Sequence, residues 1–121
     1  MEMKVFGIKN CDTMKKTFDF LELQGISYTF MDYKKQKPSL ALLEQLSKKV
    51  GFSVLINTKG TTYKKMSEEQ KQALGKENAA LQLLVENPSM IKRPILSYPD
   101  GSLVIGFDPE QIQSKKNNHH P

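Results

Sequence analysis

Two residue types each occur once in this chain, and both could do chemistry. Cys11 is the only cysteine of 121 residues, and Arg93 is the only arginine among 18 basic residues. Cys11 follows the apolar run Val5, Phe6, Ile8 and precedes Met14, Phe18 and Leu21 at i, i+4 and i+7. That pattern predicts a short buried strand, then the thiol, then a helix. Asn10 or Asp12 offers the capping oxygen, which sets Cys11 in or beside the first helical turn. Unpaired N–H groups and the positive end of the helix dipole favour a thiolate there over a thiol. Lys9, two residues before the thiol, adds positive charge that lowers a thiol pKa and can hold a carboxylate. A chain that uses lysine everywhere else keeps one bidentate, permanently charged guanidinium, in Ile91-Lys92-Arg93-Pro94. Met14 stands where a Cys-x-x-Cys motif would place a second thiol, so no internal disulfide can complete a redox cycle. An external thiol must resolve any adduct on Cys11.

The elements that position these residues follow in order. The first helix stops near Gly25, a C′ residue. Ile26 to Tyr33 alternates as a strand, with Tyr28 and Phe30 on one side. Strand, helix and strand within about thirty residues form a βαβ unit with parallel strands. Ser39 caps a helix over Leu40 to Val50, with Leu42, Leu43 and Leu46 inward and Gly51 as its stop. Phe52 to Ile56 is apolar and fits either helix or strand, and Asn57 to Tyr63 reads as a hydroxyl-rich loop. Ser67-Glu68-Glu69-Gln70 has capping-box spacing, and Glu77 to Glu86 is helical up to Asn87-Pro88. Pro94 precedes a strand over Ile95 to Tyr98. Pro99-Asp100-Gly101 makes a turn, and Leu103 to Ile105 returns as a hairpin partner. Asp108-Pro109-Glu110-Gln111 starts a last helix. The polar end from Ser114 is expected to fray, which leaves His119 and His120 in a tail and not in a metal site. The order predicts an α/β, thioredoxin-like fold with a four-stranded mixed sheet. It is read as one domain over residues 1–114, with a helical insertion at about 39–90 and a disordered tail at 115–121.

Composition excludes several classes. No apolar run is long enough for a membrane span, and Met1 to Lys4 leads into the first strand without a signal-peptide pattern. One cysteine forms no internal disulfide, so a cytoplasmic setting is expected. The net charge is +5, but the lysines are scattered in pairs, which speaks for a solvated surface and against a nucleic-acid partner.

Gly7-Ile8-Lys9-Asn10-Cys11-Asp12-Thr13, Asn57-Thr58-Lys59-Gly60-Thr61-Thr62, Ile91-Lys92-Arg93-Pro94 and Gly106-Phe107 together resemble the ArsC/Spx/YffB group of thioredoxin-fold proteins. The resemblance spans about Met3 to Gln113 and is nearest the YffB-type branch. It implies a thioredoxin core with a helical insertion between the second and third strands, and Cys11 as nucleophile. It also implies that Arg93 precedes a cis-proline, Pro94. ArsC-type members reduce arsenate with glutathione and glutaredoxin. YffB-type members resemble glutathione-dependent thiol reductases, and Spx-type members bind RNA polymerase without catalysis.

The implied function is therefore a glutathione-dependent thiol oxidoreductase with a single nucleophilic cysteine. Glutathione is its co-substrate, glutaredoxin a second partner, and no cofactor is bound. Candidate substrate-binding residues are Lys9, Asn10, Lys59, Arg93 and Pro94. Two departures bear on arsenate. Lys59 stands where YffB-type loops carry arginine, and Gly106-Phe107-Asp108 lacks the further arginine of arsenate reductases. Of three arginines expected in an arsenate site, one is present.

Overall fold

A computed structural model describes residues 3–9 and 11–119; for Glu77 and residues 116–119 the description covers the backbone alone. Asn10 and His120 fall outside the described residues. The chain divides into two compact units, residues 1–31 with 93–121, and residues 32–92.

In the first unit, β1 (Met3–Gly7) leads through α1 (Asp12–Leu23) to β2 (Tyr28–Asp32), and β3 (Ile95–Ser97) pairs with β4 (Leu103–Ile105) before α7 (Pro109–His119). The strand order is β2-β1-β3-β4. β3 runs antiparallel to both β1 and β4, with Val5 opposite Leu96 and Leu96 opposite Val104. The expected mixed sheet of a thioredoxin-like fold is thus present. The central strands bury consecutive residues, Val5 to Gly7 in β1 and Ile95 with Leu96 in β3, as strands covered on both faces do. Val5, Leu96 and Val104 join Met3, Met14, Leu21 and Ile112 in one buried cluster. Phe18 and Phe30 pack at its edge, edge to face at 5.0 Å between ring centres.

Gly25 ends α1 with φ at +69°. Its N–H donates to the Glu22 carbonyl at 3.1 Å, and the Ile26 N–H donates to the Leu21 carbonyl at 2.9 Å. This is a Schellman closure, and it needs a left-handed residue at this position. α7 starts as its sequence demands, with Asp108 Oδ1 accepting from the Gln111 N–H at 3.1 Å. It continues through His119 instead of fraying at Ser114. A capped first turn, and no Gly or Pro from Glu110 to His119, let the polar run extend the helix.

The second unit is helical: α2 (Leu40–Val50), α3 (Phe52–Leu55), α4 (Thr61–Lys64), α5 (Glu68–Ala73) and α6 (Glu77–Glu86), then a 3-10 turn over Pro88–Met90. It is wider than the insertion expected at 39–90. Ser39 Oγ accepts from the Leu42 N–H as α2 begins. The Ser67–Gln70 pair forms the full capping box. α2 packs against α3 and α6, burying Leu43, Leu46, Leu55, Leu81 and Leu84. Phe52 to Leu55, which by sequence fits either helix or strand, is a helical turn. Thr61 to Lys64 differs from the sequence reading and is helical where a loop is expected. Both are four-residue turns, too short for a periodic apolar face to announce them.

Candidate active site

Cys11 is itself the N-cap of α1, with extended backbone angles of φ −147° and ψ 131°. Its carbonyl accepts the first helical bond, from the Lys15 N–H at 3.0 Å. Asp12 therefore lies inside the helix and not at its cap, which settles one of the two capping alternatives. An N-cap side chain points at the free N–H groups of the second and third helical residues. Here those residues are Thr13 and Met14, and no side-chain oxygen caps them; the Cys11 sulfur stands in that place.

The electrostatics of Cys11 follow from this position. Partial burial pushes the thiol pKa up, but the Met14 N–H, the Arg93 side chain and the Thr13 N–H all hold the thiolate. The Arg93 charge adds to them, and the net result lies below the ordinary thiol value. Cys11 is partly exposed and free of any disulfide, so this stabilised anion is open to a reactant.

Gly7 and Met14 set the floor of the site. A Cβ placed on Gly7 would lie 2.6 Å from the Sδ and Cε of Met14 and 3.6 Å from the Cβ of Arg93. The absent side chain at the end of β1 leaves the room that the Met14 thioether, from the first turn of α1, occupies, while the Arg93 Cβ would be at ordinary contact distance. Arg93 immediately precedes β3, and the Arg93–Pro94 peptide is cis. Pro94 is buried, and its carbonyl accepts from the Gly106 N–H at 2.8 Å.

An open hollow of about 610 Å³ begins at Cys11 and runs along α1. Its lining includes Lys9, Lys15, Phe18, Asp19, Glu22 and Tyr28. Of the residues expected at the site, Cys11, Lys9 and Arg93 lie in one unit beside one another or on this hollow, with Pro94 next to Arg93. Lys59 belongs to the second unit, where it is exposed and its backbone N–H donates to Asn57 Oδ1 at 3.2 Å. Asn10 lies outside the described residues. The sequence reading missed the acidic and aromatic wall of Asp19, Glu22 and Tyr28. Its signal was present as the one-face spacing of positions 11, 15, 18/19 and 22. Among the described residues, no group of three His, Cys, Asp or Glu side chains could hold a metal ion. None of the helices described is long and apolar enough to cross a membrane.

The chain is similar to known proteins over almost its whole length. The solved structure of the YffB protein PA3664 superposes with a TM-score of 0.87 at 37% identity, covering 93% of this chain and 96% of that one. An arsenate reductase (ArsC) related protein from Brucella melitensis gives a TM-score of 0.76 at 42% identity, covering 94% and 93%. A Haemophilus influenzae protein without an assigned function is 40% identical over 110 residues, which are 91% of this chain and 95% of that protein. The profile of the ArsC family matches residues 6–115, a span that holds the thiol, Arg93 and every strand but the first residues of β1. With that profile matching most of its length and relatives at 37–42% identity covering nearly all of it, this chain belongs to the ArsC family.

Proposed function

We propose that the protein is a thiol oxidoreductase that uses Cys11 as its only nucleophile and glutathione as its resolving thiol. The observation that carries this reading is the Cys11 sulfur at an N-cap position, where two backbone N–H groups and Arg93 lower its pKa below the ordinary thiol value. In the first step the Cys11 thiolate attacks a disulfide RS–SR. A Cys11–SR bond forms, the RS–SR bond breaks, and RS⁻ leaves to be protonated by solvent. In the second step a glutathione thiolate attacks the sulfur of R, giving the mixed disulfide of R and glutathione and returning Cys11 as thiolate. A second glutathione thiolate then attacks the glutathione sulfur of that mixed disulfide, releasing R as thiolate and leaving oxidised glutathione, so two glutathione molecules supply the two electrons, directly or through glutaredoxin. Met14 supports this division of labour, because no second thiol of the chain can compete for the adduct.

The test is intact-mass spectrometry after incubation with oxidised glutathione. The expected result is one adduct on Cys11, cleared by reduced glutathione or glutaredoxin and absent in Cys11→Ser. A wild-type protein that stays unmodified would refute the reading. Arsenate is the less favoured substrate, because Arg93 is the only guanidinium the sequence offers to a tetrahedral oxyanion. Arsenate turnover with glutathione and glutaredoxin, lost in Cys11→Ser, would reverse that order.

A further inference from the structure

The ladder between β3 and β4 reaches the thiol through one bond. Ile95 lies opposite Ile105 and Leu96 opposite Val104, so the same register sets Pro94 opposite Gly106. In such a pair each residue would give and take a backbone hydrogen bond. Pro94 has no N–H to give, and the pair is held by the Gly106 N–H, which donates to the Pro94 carbonyl at 2.8 Å. That bond fixes the chain next to Arg93, whose side chain hydrogen-bonds the Cys11 sulfur. Directly after it the chain turns. The φ of Gly106 is +85°, and Phe107 sets its ring edge to face against Phe20 of α1, at 5.8 Å between centres and 73° between planes. Gly106 thus stands at a corner. Its N–H holds the segment that supplies Arg93, and its next residue packs on the helix that begins at Cys11.

We infer that Gly106 is a positioning residue for the nucleophile: its left-handed backbone keeps the N–H on Pro94 while Phe107 stays on α1, and so holds Arg93 beside the Cys11 sulfur. The inference takes Cys11 as the nucleophile proposed above. Rotation about the N–Cα bond of Gly106 sets where the chain goes relative to that N–H. A residue with a Cβ disfavours positive φ. Nothing lies within 4 Å of a Cβ built at Gly106, so the backbone angle alone opposes a side chain there. Driven to negative φ, the corner must give up either the Pro94 bond or the Phe20 contact. Phe107 is packed against the buried cluster of the first unit, whereas the Pro94 bond is one that proline cannot reciprocate. The bond is the part that yields, and Arg93 is then less well held. The other titratable groups of the hollow, Lys9, Asp12, Lys15, Asp19, Glu22 and Tyr28, lie on the connection before α1, on α1 or on β2. A loosened start of β3 therefore reaches the sulfur through Arg93.

The experiment follows Cys11 alkylation by iodoacetamide across pH, which needs no disulfide substrate. Gly106→Ala should raise the midpoint by about 0.5 unit, part of the roughly 1–3 units that a neighbouring opposite charge is worth. Gly106→Asn, whose side chain tolerates positive φ better, should fall between wild type and alanine. Gly25→Ala puts a Cβ on the same kind of backbone at the other end of α1 and should leave the midpoint unmoved. In an Arg93→Met background neither Gly106 change should move it further, because the group being positioned is gone. A Gly106→Ala midpoint equal to that of the wild type would overturn the proposal. So would an equal shift in Gly25→Ala or in the Arg93→Met background, or an asparagine midpoint at or above the alanine one. Where Gly106→Ala does not fold, Gly106→Asn takes its place in each comparison. Absence of a glutathione adduct alongside the expected pattern would overturn the proposed function and leave the positioning role standing.

Discussion

Met14 fills the space that a side chain on Gly7 would need: a Cβ at position 7 would stand 2.6 Å from both Sδ and Cε of its thioether. Met14 is fully buried, and its backbone N–H faces the Cys11 sulfur. One residue therefore joins the core to the Cys11 sulfur. Its side chain anchors the first turn of α1 against β1, and its N–H stabilises the anion at the start of that turn.

Gly7→Ala should accordingly destabilise the protein by about 1–3 kcal/mol, the usual cost of overpacking a closed site. Urea unfolding would measure it. Because Met14 is what an alanine would strike, Gly7→Ala with Met14→Ala should cost less than the sum of the two single changes. Strict additivity would show that Gly7 matters for some reason other than this contact.

Arg93→Met should raise the Cys11 pKa, since it removes both a hydrogen bond to the thiolate and a nearby positive charge. Arg93→Lys keeps the charge without the planar fork and should raise it less. Iodoacetamide alkylation rates followed across pH give the midpoint. In the wild type this should lie below the ~8.5 of a free thiol.

The same shift makes stability depend on pH in a fixed direction. The folded protein prefers the thiolate, so the contribution of Cys11 is fully present above the unfolded thiol value of ~8.5. It is lost as pH falls through the lower folded value. The stability difference between wild type and Cys11→Ser should thus move in favour of the wild type as pH rises toward 8.5. Paired urea titrations at several pH values would reveal it, and a difference that is flat or runs the other way would contradict the lowered pKa.

At the other end of α1, Gly25→Ala should cost about 1–2 kcal/mol, because φ is +69° there and a Cβ is disfavoured in left-handed backbone. Nothing lies within 4 Å of the added methyl group, so the cost is conformational and not steric. Gly25→Asn, which tolerates this region better, should lose less in the same thermal melt.

The sequence by itself determined most elements of this protein. Caps and stops are local, and Ser39, Gly51, Ser67, Gln70, Asp108 and Pro109 mark their helices through bonds within a few residues. It also determined that Cys11 has no partner thiol in the chain, since it is the only cysteine and Ile8 and Met14 stand where a Cys-x-x-Cys partner would. The four-residue helices at Phe52–Leu55 and Thr61–Lys64 were illegible, because so short a segment shows no period and owes its form to its neighbours. Only the tertiary structure decided which residues surround the thiol. It made Cys11 the cap itself, brought Arg93 to it from 82 positions downstream, and set Tyr28 of the edge strand against Glu22 and Phe18 of α1. These meetings depend on strand order and on where α1 lies against the sheet. Both are properties of how elements pack, and packing is settled between distant parts of the chain.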